Sequence, residues 1–326
     1  MIHRLRTLYL IWFIGLLLAV VILILGGCGS SPVAQRGPAI DQDLERYNRA
    51  ARQAFDKGRL QQAATYYRKA LDRAYIGDDS GAIIDAQYNL AVCLMKLQSY
   101  EEALGVVRQA KAEMARADQS NSADFLLLEA TILQRTGNSE HAWNITDQIL
   151  ATILATTPPA SSIIQNRTHF LRGLIANQRG DMVKLREAIV SLAEPKEFQL
   201  RADRWELLGY LAMAENNWAE AVEAFDEAAK LRQEVLDYRS MVRVLALAGE
   251  ASERAGRAKD AAVRYLRAGR SAVLQGDDDH AQIWLIQAEQ LANQAGDDQI
   301  AQKSRAYLKQ IQDTRKAPVN KLDLFR

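Results

Sequence analysis

Seven helix-breaking or polar positions, Gly58, Gln98, Gly137, Gly180, Asn216, Gly256 and Gly296, recur at intervals of 40, 39, 43, 36, 40 and 40 residues. Five residues after them stand Ala63, Ala103, Ala142, Leu185, Ala221, Ala261 and Ala301; seven before them stand Ala51, Ala91, Ala130, Gly173, Gly209, Gly249 and Glu289. Six of the seven are small at each offset. Two helices joined by a short turn approach closely only where the touching side chains are small. Bulkier residues then fill the wider space beyond: Tyr67, Val107, Thr146, Ile189, Phe225 and Tyr265 lie nine residues past the turn, with Arg305 breaking the series. Offsets of five, nine and twelve fall on one helical stripe. A self-similar period of this size predicts a stack of like units, each burying its apolar face only against its neighbours. Pro158, Pro159 and Pro195 are the only prolines between Ile40 and Ala317, which leaves room for uninterrupted helices.

The pattern resembles the tetratricopeptide repeat. The fullest copy reads Trp205-Glu206-Leu207-Leu208-Gly209, then Trp218, Ala221, Phe225 and Ala228. Tyr88-Asn89-Leu90-Ala91 with Tyr100, Ala103 and Ala110 is close to it, and Gly58, Ala63, Tyr67 and Ala70 make a third. Glu129, Arg172, Leu185 and Glu289 depart from the pattern in copies three, four and seven. The resemblance covers residues 43–314 and implies an all-α fold, a right-handed α-solenoid of about seven antiparallel helix pairs. The family's usual period is about 34 residues. The surplus falls at junctions such as Gly77-Asp78-Asp79 and Gly276-Asp277, where Gly can close one helix and Asp cap the next, each helix gaining about one turn.

The N-terminus has a separate logic. Arg4 and Arg6 precede an uncharged apolar run from Leu8 to Leu25, the layout of a signal segment. Leu25-Gly26-Gly27-Cys28 then resembles the lipobox of bacterial lipoproteins, which implies that residues 1–27 are removed and Cys28 is acylated. Residues 28–42 would form a lipidated, flexible tether and 315–326 a C-terminal tail. Gly29 stands where Asp would signal inner-membrane retention, so the resemblance implies the periplasmic face of the outer membrane. The alternative is an inner-membrane chain held by an uncleaved N-terminal anchor, since 18 apolar residues approach a bilayer span. With Cys28 acylated, Cys93 is the remaining thiol and reads as an inert core residue.

Chemistry is sparse. The chain has 41 basic and 40 acidic side chains with no basic run, which argues against a nucleic-acid partner. His141, His169 and His280 fall on different repeats, with no second ligand at metal spacing. No phosphate loop or nucleophile motif is present. The expectation is therefore no enzyme, no metal and no cofactor, and Asp277-Asp278-Asp279 reads as a solvated loop and helix cap.

The resemblance implies a concave face lined by the first helix of each pair, holding an extended or helical segment of a partner protein. Counting back from the turns predicts Asp85, Tyr88, Val92 and Met95; Asp124, Leu127, Thr131 and Gln134; Arg167, Phe170, Leu174 and Asn177; Asp203, Glu206, Tyr210 and Met213; and Arg243, Ala246, Glu250 and Glu253 on that face. The predicted contact strip is Tyr88, Met95, Leu127, Gln134, Phe170, Leu174, Tyr210 and Met213, flanked by Asp85, Asp124, Arg167 and Glu206. A carboxylate clamp of the co-chaperone kind is matched only by Asn89, while Asn48, Arg52, Asp124 and Leu128 depart from it. The functional expectation is an envelope scaffold, with a cell-wall-acting enzyme or a ligand-sensing domain as alternatives. Packing of the strip onto neighbouring repeats is an alternative to an open groove.

Overall fold

The computed structural model describes residues 41–118, 122–155, 162–192 and 197–316. The chain divides into two units, Met1–Gln42 and Asp43–Arg326. Of the first unit only Asp41 and Gln42 are described; the second holds the helical stack. The expected signal segment 1–27, Cys28, the tether as far as residue 40 and residues 317–326 of the expected tail lie outside the described residues.

Fourteen α-helices and no strand occur among the described residues. They form seven pairs: α1 (Gln42–Asp56) with α2 (Leu60–Ile76), α3 (Ser80–Lys96) with α4 (Tyr100–Arg116), α5 (Ala123–Arg135) with α6 (Ser139–Ala155), α7 (Ser162–Arg179) with α8 (Met182–Ser191), α9 (Phe198–Ala214) with α10 (Trp218–Glu234), α11 (Tyr238–Arg254) with α12 (Ala258–Leu274), and α13 (Asp278–Gln294) with α14 (Asp298–Lys316). Each helix packs chiefly on its sequence neighbours, as a solenoid requires. The short α8 leaves α9 resting on α7 as well.

All seven marker residues adopt the left-handed conformation, with φ between 60° and 81°. After each, the next backbone N–H reaches back to a carbonyl five residues earlier, as in Arg59 to Ala54 (2.9 Å) and Asp297 to Ala292 (2.8 Å). That bond is the helix-ending motif in which a left-handed residue lets the chain satisfy its last carbonyls. Turns between pairs use the same geometry: Asp78, Leu236 and Gly276 are left-handed, with matching bonds from Asp79, Asp237 and Asp277. The sequence expectation for the junctions is corrected in detail. Gly77 stays right-handed (φ −80°) and Asp78 makes the reversal, while Asp79 caps α3 by accepting from the Ala82 N–H at 3.0 Å. At the second junction Gly276 reverses the chain, but the Asp277 carboxylate meets His280 Nδ1 at 2.9 Å instead of capping a backbone N–H.

Leu236 is the costliest of these reversals, because a γ-branched side chain crowds its own backbone at φ 59° and, 68% exposed, gains little packing in return. Leu236→Gly is expected to raise stability by about 0.5–1 kcal/mol, read as a higher urea midpoint at unchanged slope.

The small positions do what their spacing requires. All seven residues five past the turns, Leu185 included, have no exposed surface. At Gly209 a Cβ would stand 2.5 Å from the ring of Phe225, and at Gly249 3.2 Å from Tyr265, each across the turn of its own pair. Gly173 instead admits Leu207 of the next pair, whose methyl would lie 2.3 Å from a Cβ. Departures from the repeat are answered by partners. Glu289 accepts from Arg305 Nη1 at 3.1 Å, so the two irregular residues of the last pair meet each other. Glu129 accepts from Lys111 at 2.9 Å, and Arg172 pairs with Asp147 while lying 3.9 Å over the Trp143 ring. Cys93 is fully buried, and burial pushes its thiol up to about 11, which leaves it inert.

Candidate functional site

The first helices of pairs two to four enclose a cavity of about 550 Å³. Into it project Tyr88, Val92 and Met95 of α3, Asp124, Leu127, Thr131 and Gln134 of α5, and Arg167, Phe170 and Leu174 of α7. Counting back from the turns therefore places ten predicted residues around one space. Asp85 lies outside it, exposed on α3. Phe55 and Tyr67 close the end nearest the first pair. Tyr88 packs edge-on against Phe125, with centroids 5.1 Å apart, and burial raises its hydroxyl pKa. Asn89 also lines the cavity, but its amide donates to the Asp85 carbonyl of its own helix at 2.8 Å.

The groove does not continue through pair five as the sequence predicts. Glu206 is fully buried, held by Arg232 Nη2 at 3.1 Å and Arg243 Nη2 at 2.7 Å. Arg232 also donates to Asp203 at 2.6 Å and to Asp237 at 3.4 Å. Tyr210 packs edge-on against Phe225 at 5.4 Å, and its hydroxyl oxygen lies 3.3 Å from Arg243. Burial, followed by the Glu206 charge, pushes that hydroxyl up to about 12. Met213 packs partly buried against the same core. Glu206, Tyr210 and Met213 thus belong to an interface between repeats, and the packed alternative holds at this pair.

A legible signal existed for the residue that causes this. Continuing the stripe to sixteen past the turn gives Ala74, Met114, Ile153, Arg232 and Ala272, all buried, with Gln312 of the last pair exposed at the open end of the stack. An arginine on that stripe demands buried carboxylates, and Asp203 and Glu206 supply them. Burial outweighs the Arg232 attraction at Asp203 and pushes its carboxyl up to about 6. At Arg232 burial is again the largest single influence and lowers the guanidinium pKa, but Asp203, Glu206 and Asp237 together outweigh it, so the pKa is raised.

Met95, Lys96, Thr131 and Arg135 also line a second, adjoining cavity of about 260 Å³. Its opposite wall is Arg239, Ser240 and Arg243 of α11 with Asp277, His280 and Trp284 from the last pair. Lys96, Arg135, Arg239 and Trp284 were not among the predicted lining. Lys96 and Arg135 sit two residues before their turns, one place beyond the positions counted. His280 stacks on Trp284 at 5.4 Å, and among the described residues no cluster of His, Cys, Asp and Glu could hold a metal ion.

A chain of paired helices with like turns, a continuous core and a channel lined by the first helix of successive pairs is an α-solenoid built for contact with other molecules. Its turn geometry, its small-residue contacts and the comparisons with known proteins agree on the kind. The tetratricopeptide repeat family model matches residues 48–122, so that stretch carries tetratricopeptide repeats. A Rap protein, solved in complex with Competence and Sporulation Factor, is similar in fold at 14% identity and a TM-score of 0.52, with 83% of this chain and 97% of that one covered. A tetratricopeptide repeat protein from Parabacteroides merdae gives 15% identity and a TM-score of 0.46 over 81% of this chain and 99% of that one. A signal-transduction ATPase with a tetratricopeptide repeat sensor from Pyrococcus horikoshii gives 14% and 0.49 over 80% and 44%. No curated protein matches the sequence. Repeats of this family generally serve as non-enzymatic scaffolds for protein–protein interaction.

Proposed function

We propose that the chain is a membrane-anchored scaffold or adaptor that holds an extended or helical segment of a partner protein between α3, α5 and α7, and that it serves in assembling or regulating the cell envelope. The observation that carries this is the 550 Å³ cavity, where Tyr88, Leu127, Phe170 and Leu174 stay only partly buried around an open space. Aromatic and aliphatic side chains converging on one concavity are what an interface anchor fills. Asp124 is the one carboxylate lining that cavity among the described residues, which supports binding over acid–base chemistry.

The place of action rests on sequence order: two arginines, an apolar run, two glycines and a cysteine. Acylation at Cys28 would tether the solenoid at the periplasmic face of the outer membrane. No helix among the described residues is long and apolar enough to cross a membrane.

One experiment tests both parts. A photo-crosslinking amino acid at Leu127 should give an adduct in intact cells, whereas one at Val263, which lines a different groove with α14, should not. The adduct should disappear in the Tyr88→Ser/Phe170→Ser variant, and under Cys28→Ser the protein should leave the membrane fraction. Tyr210 is left out of the variant because it supports the core. Equal adducts from Leu127 and Val263 would end the groove reading, and unchanged fractionation of Cys28→Ser the anchor.

A further inference from the structure

We infer that the segment held in this channel is acidic, with apolar residues between its carboxylates. The inference rests on the scaffold reading and adds the partner's chemistry. Lys96, Arg135, Arg167 and Arg239 line the two adjoining cavities, and among the described residues none has a carboxylate within 4.0 Å. Other cations on the molecule, such as Arg68 with Glu102, Arg264 with Asp226 and Arg315 with Asp279, do meet a carboxylate, and Lys96 meets the Phe55 ring instead, at 5.8 Å. The lining offers only Asp124 and Asp277 in return, and Asp277 is held by His280. Arg243 adds no surplus because Glu206 neutralises it. The channel wall thus carries four cations free of carboxylates against Asp124 alone, a local positive excess in a chain of 41 basic and 40 acidic side chains. Low-dielectric walls focus that field into the channel, which draws in and orients a negative partner.

The distribution fixes the pattern of the segment. Arg167 lies at the apolar cavity, beside Phe170 and Leu174, while Lys96, Arg135 and Arg239 share the narrower one. Apolar side chains would enter beside Tyr88, Leu127 and Phe170, with carboxylates denser toward the second cavity.

The same surroundings favour a polypeptide over a nucleic acid. Base recognition needs open aromatic faces on which to stack. Here the Tyr88 ring meets Phe125, a guanidinium lies over the Phe170 ring at 5.9 Å, and Trp284 is stacked by His280.

The test uses the full chain in detergent and three labelled synthetic peptides that alternate Leu and Phe with Glu, Gln or Lys. Anisotropy should show the Glu peptide binding about tenfold more tightly than the Gln peptide, and the Lys peptide not at all. Added salt should erase the difference. Lys96→Gln/Arg135→Gln/Arg239→Gln, at exposed or half-exposed positions, should bring the Glu peptide down to the Gln level and leave the Gln peptide unchanged. If that variant does not fold, the salt titration of the native chain decides alone. Equal binding of Glu and Gln peptides, or displacement of the Glu peptide by inorganic polyphosphate or single-stranded RNA at matched charge, overturns the inference. A Gln peptide that binds and is lost in Tyr88→Ser/Phe170→Ser leaves the scaffold reading standing without it. Failure of every peptide to bind, or a Glu peptide indifferent to Tyr88→Ser/Phe170→Ser, removes both.

Discussion

Arg232→Met is expected to destabilise the solenoid by about 3–5 kcal/mol, a loss large enough to unfold a marginal repeat protein. Methionine keeps an unbranched apolar stem but carries no guanidinium and no charge. Asp203, 4% exposed, would then be left in the interior without its 2.6 Å partner, and Glu206 would keep only Arg243. Removing one member of a buried ion cluster costs more than the cluster contributes, because the remaining charge stays desolvated. Adding Asp203→Asn should therefore recover part of the loss, since an amide has no charge to strand. The pH dependence carries a definite sign. Asp203 titrates near 6 in the folded chain against an ordinary 3.8, so the folded state holds its proton more tightly than the unfolded chain. Its contribution is complete below pH 4 and declines as pH rises through 6. The stability of the native chain relative to Asp203→Asn should fall over that window by up to roughly 3 kcal/mol. In Arg232→Met the window should extend to higher pH, because the opposing attraction is gone. Urea unfolding across pH 4 to 8 measures both. A loss under about 1 kcal/mol for Arg232→Met, or a flat pH profile, would show the cluster to be more hydrated than its geometry implies.

What could be read in the sequence was whatever depends on neighbours along the chain. A left-handed residue every 36 to 43 positions, with an alanine five later and a glycine or alanine seven earlier, each in six pairs of seven, is a local demand of one helix pair, so the register of the pairs followed from spacing. The first helices of pairs two to four could be read for the same reason: their cavity residues lie at a constant offset from a turn whose geometry is fixed. Pair five escaped the count because Glu206 answers to Arg232 and Arg243, 26 and 37 residues downstream, rather than to its own turn. The far wall of the channel escaped because it depends on accumulated curvature. Arg239, His280 and Trp284 meet Lys96 and Arg135 only after several pairs have each added a small rotation, and no single repeat records that sum.

The contact that lets paired helices touch can be tested as a coupling between Gly209 and Phe225. Phe225 has no exposed surface, so Phe225→Ala should cost about 3–5 kcal/mol in lost burial and a cavity. Gly209→Ala has two opposed effects. Alanine favours the helical backbone by about 1 kcal/mol, but its Cβ would stand 2.5 Å from the Phe225 ring, which Tyr210 holds from the side. Overpacking of that kind typically costs about 1–3 kcal/mol, so the single change should be neutral to destabilising. In the Phe225→Ala background the ring is gone and only the helical preference remains, so Gly209→Ala should become stabilising. The double-mutant cycle should then show coupling of about 1 kcal/mol or more. Gly249→Ala is the internal control, because its Cβ would meet Tyr265 at 3.2 Å and a displacement of a few tenths of an ångström relieves it. It should cost less than Gly209→Ala at the same helix position. Additive effects at Gly209 and Phe225, or equal costs at the two glycines, would mean that the helices are held apart by something other than the ring against the bare backbone.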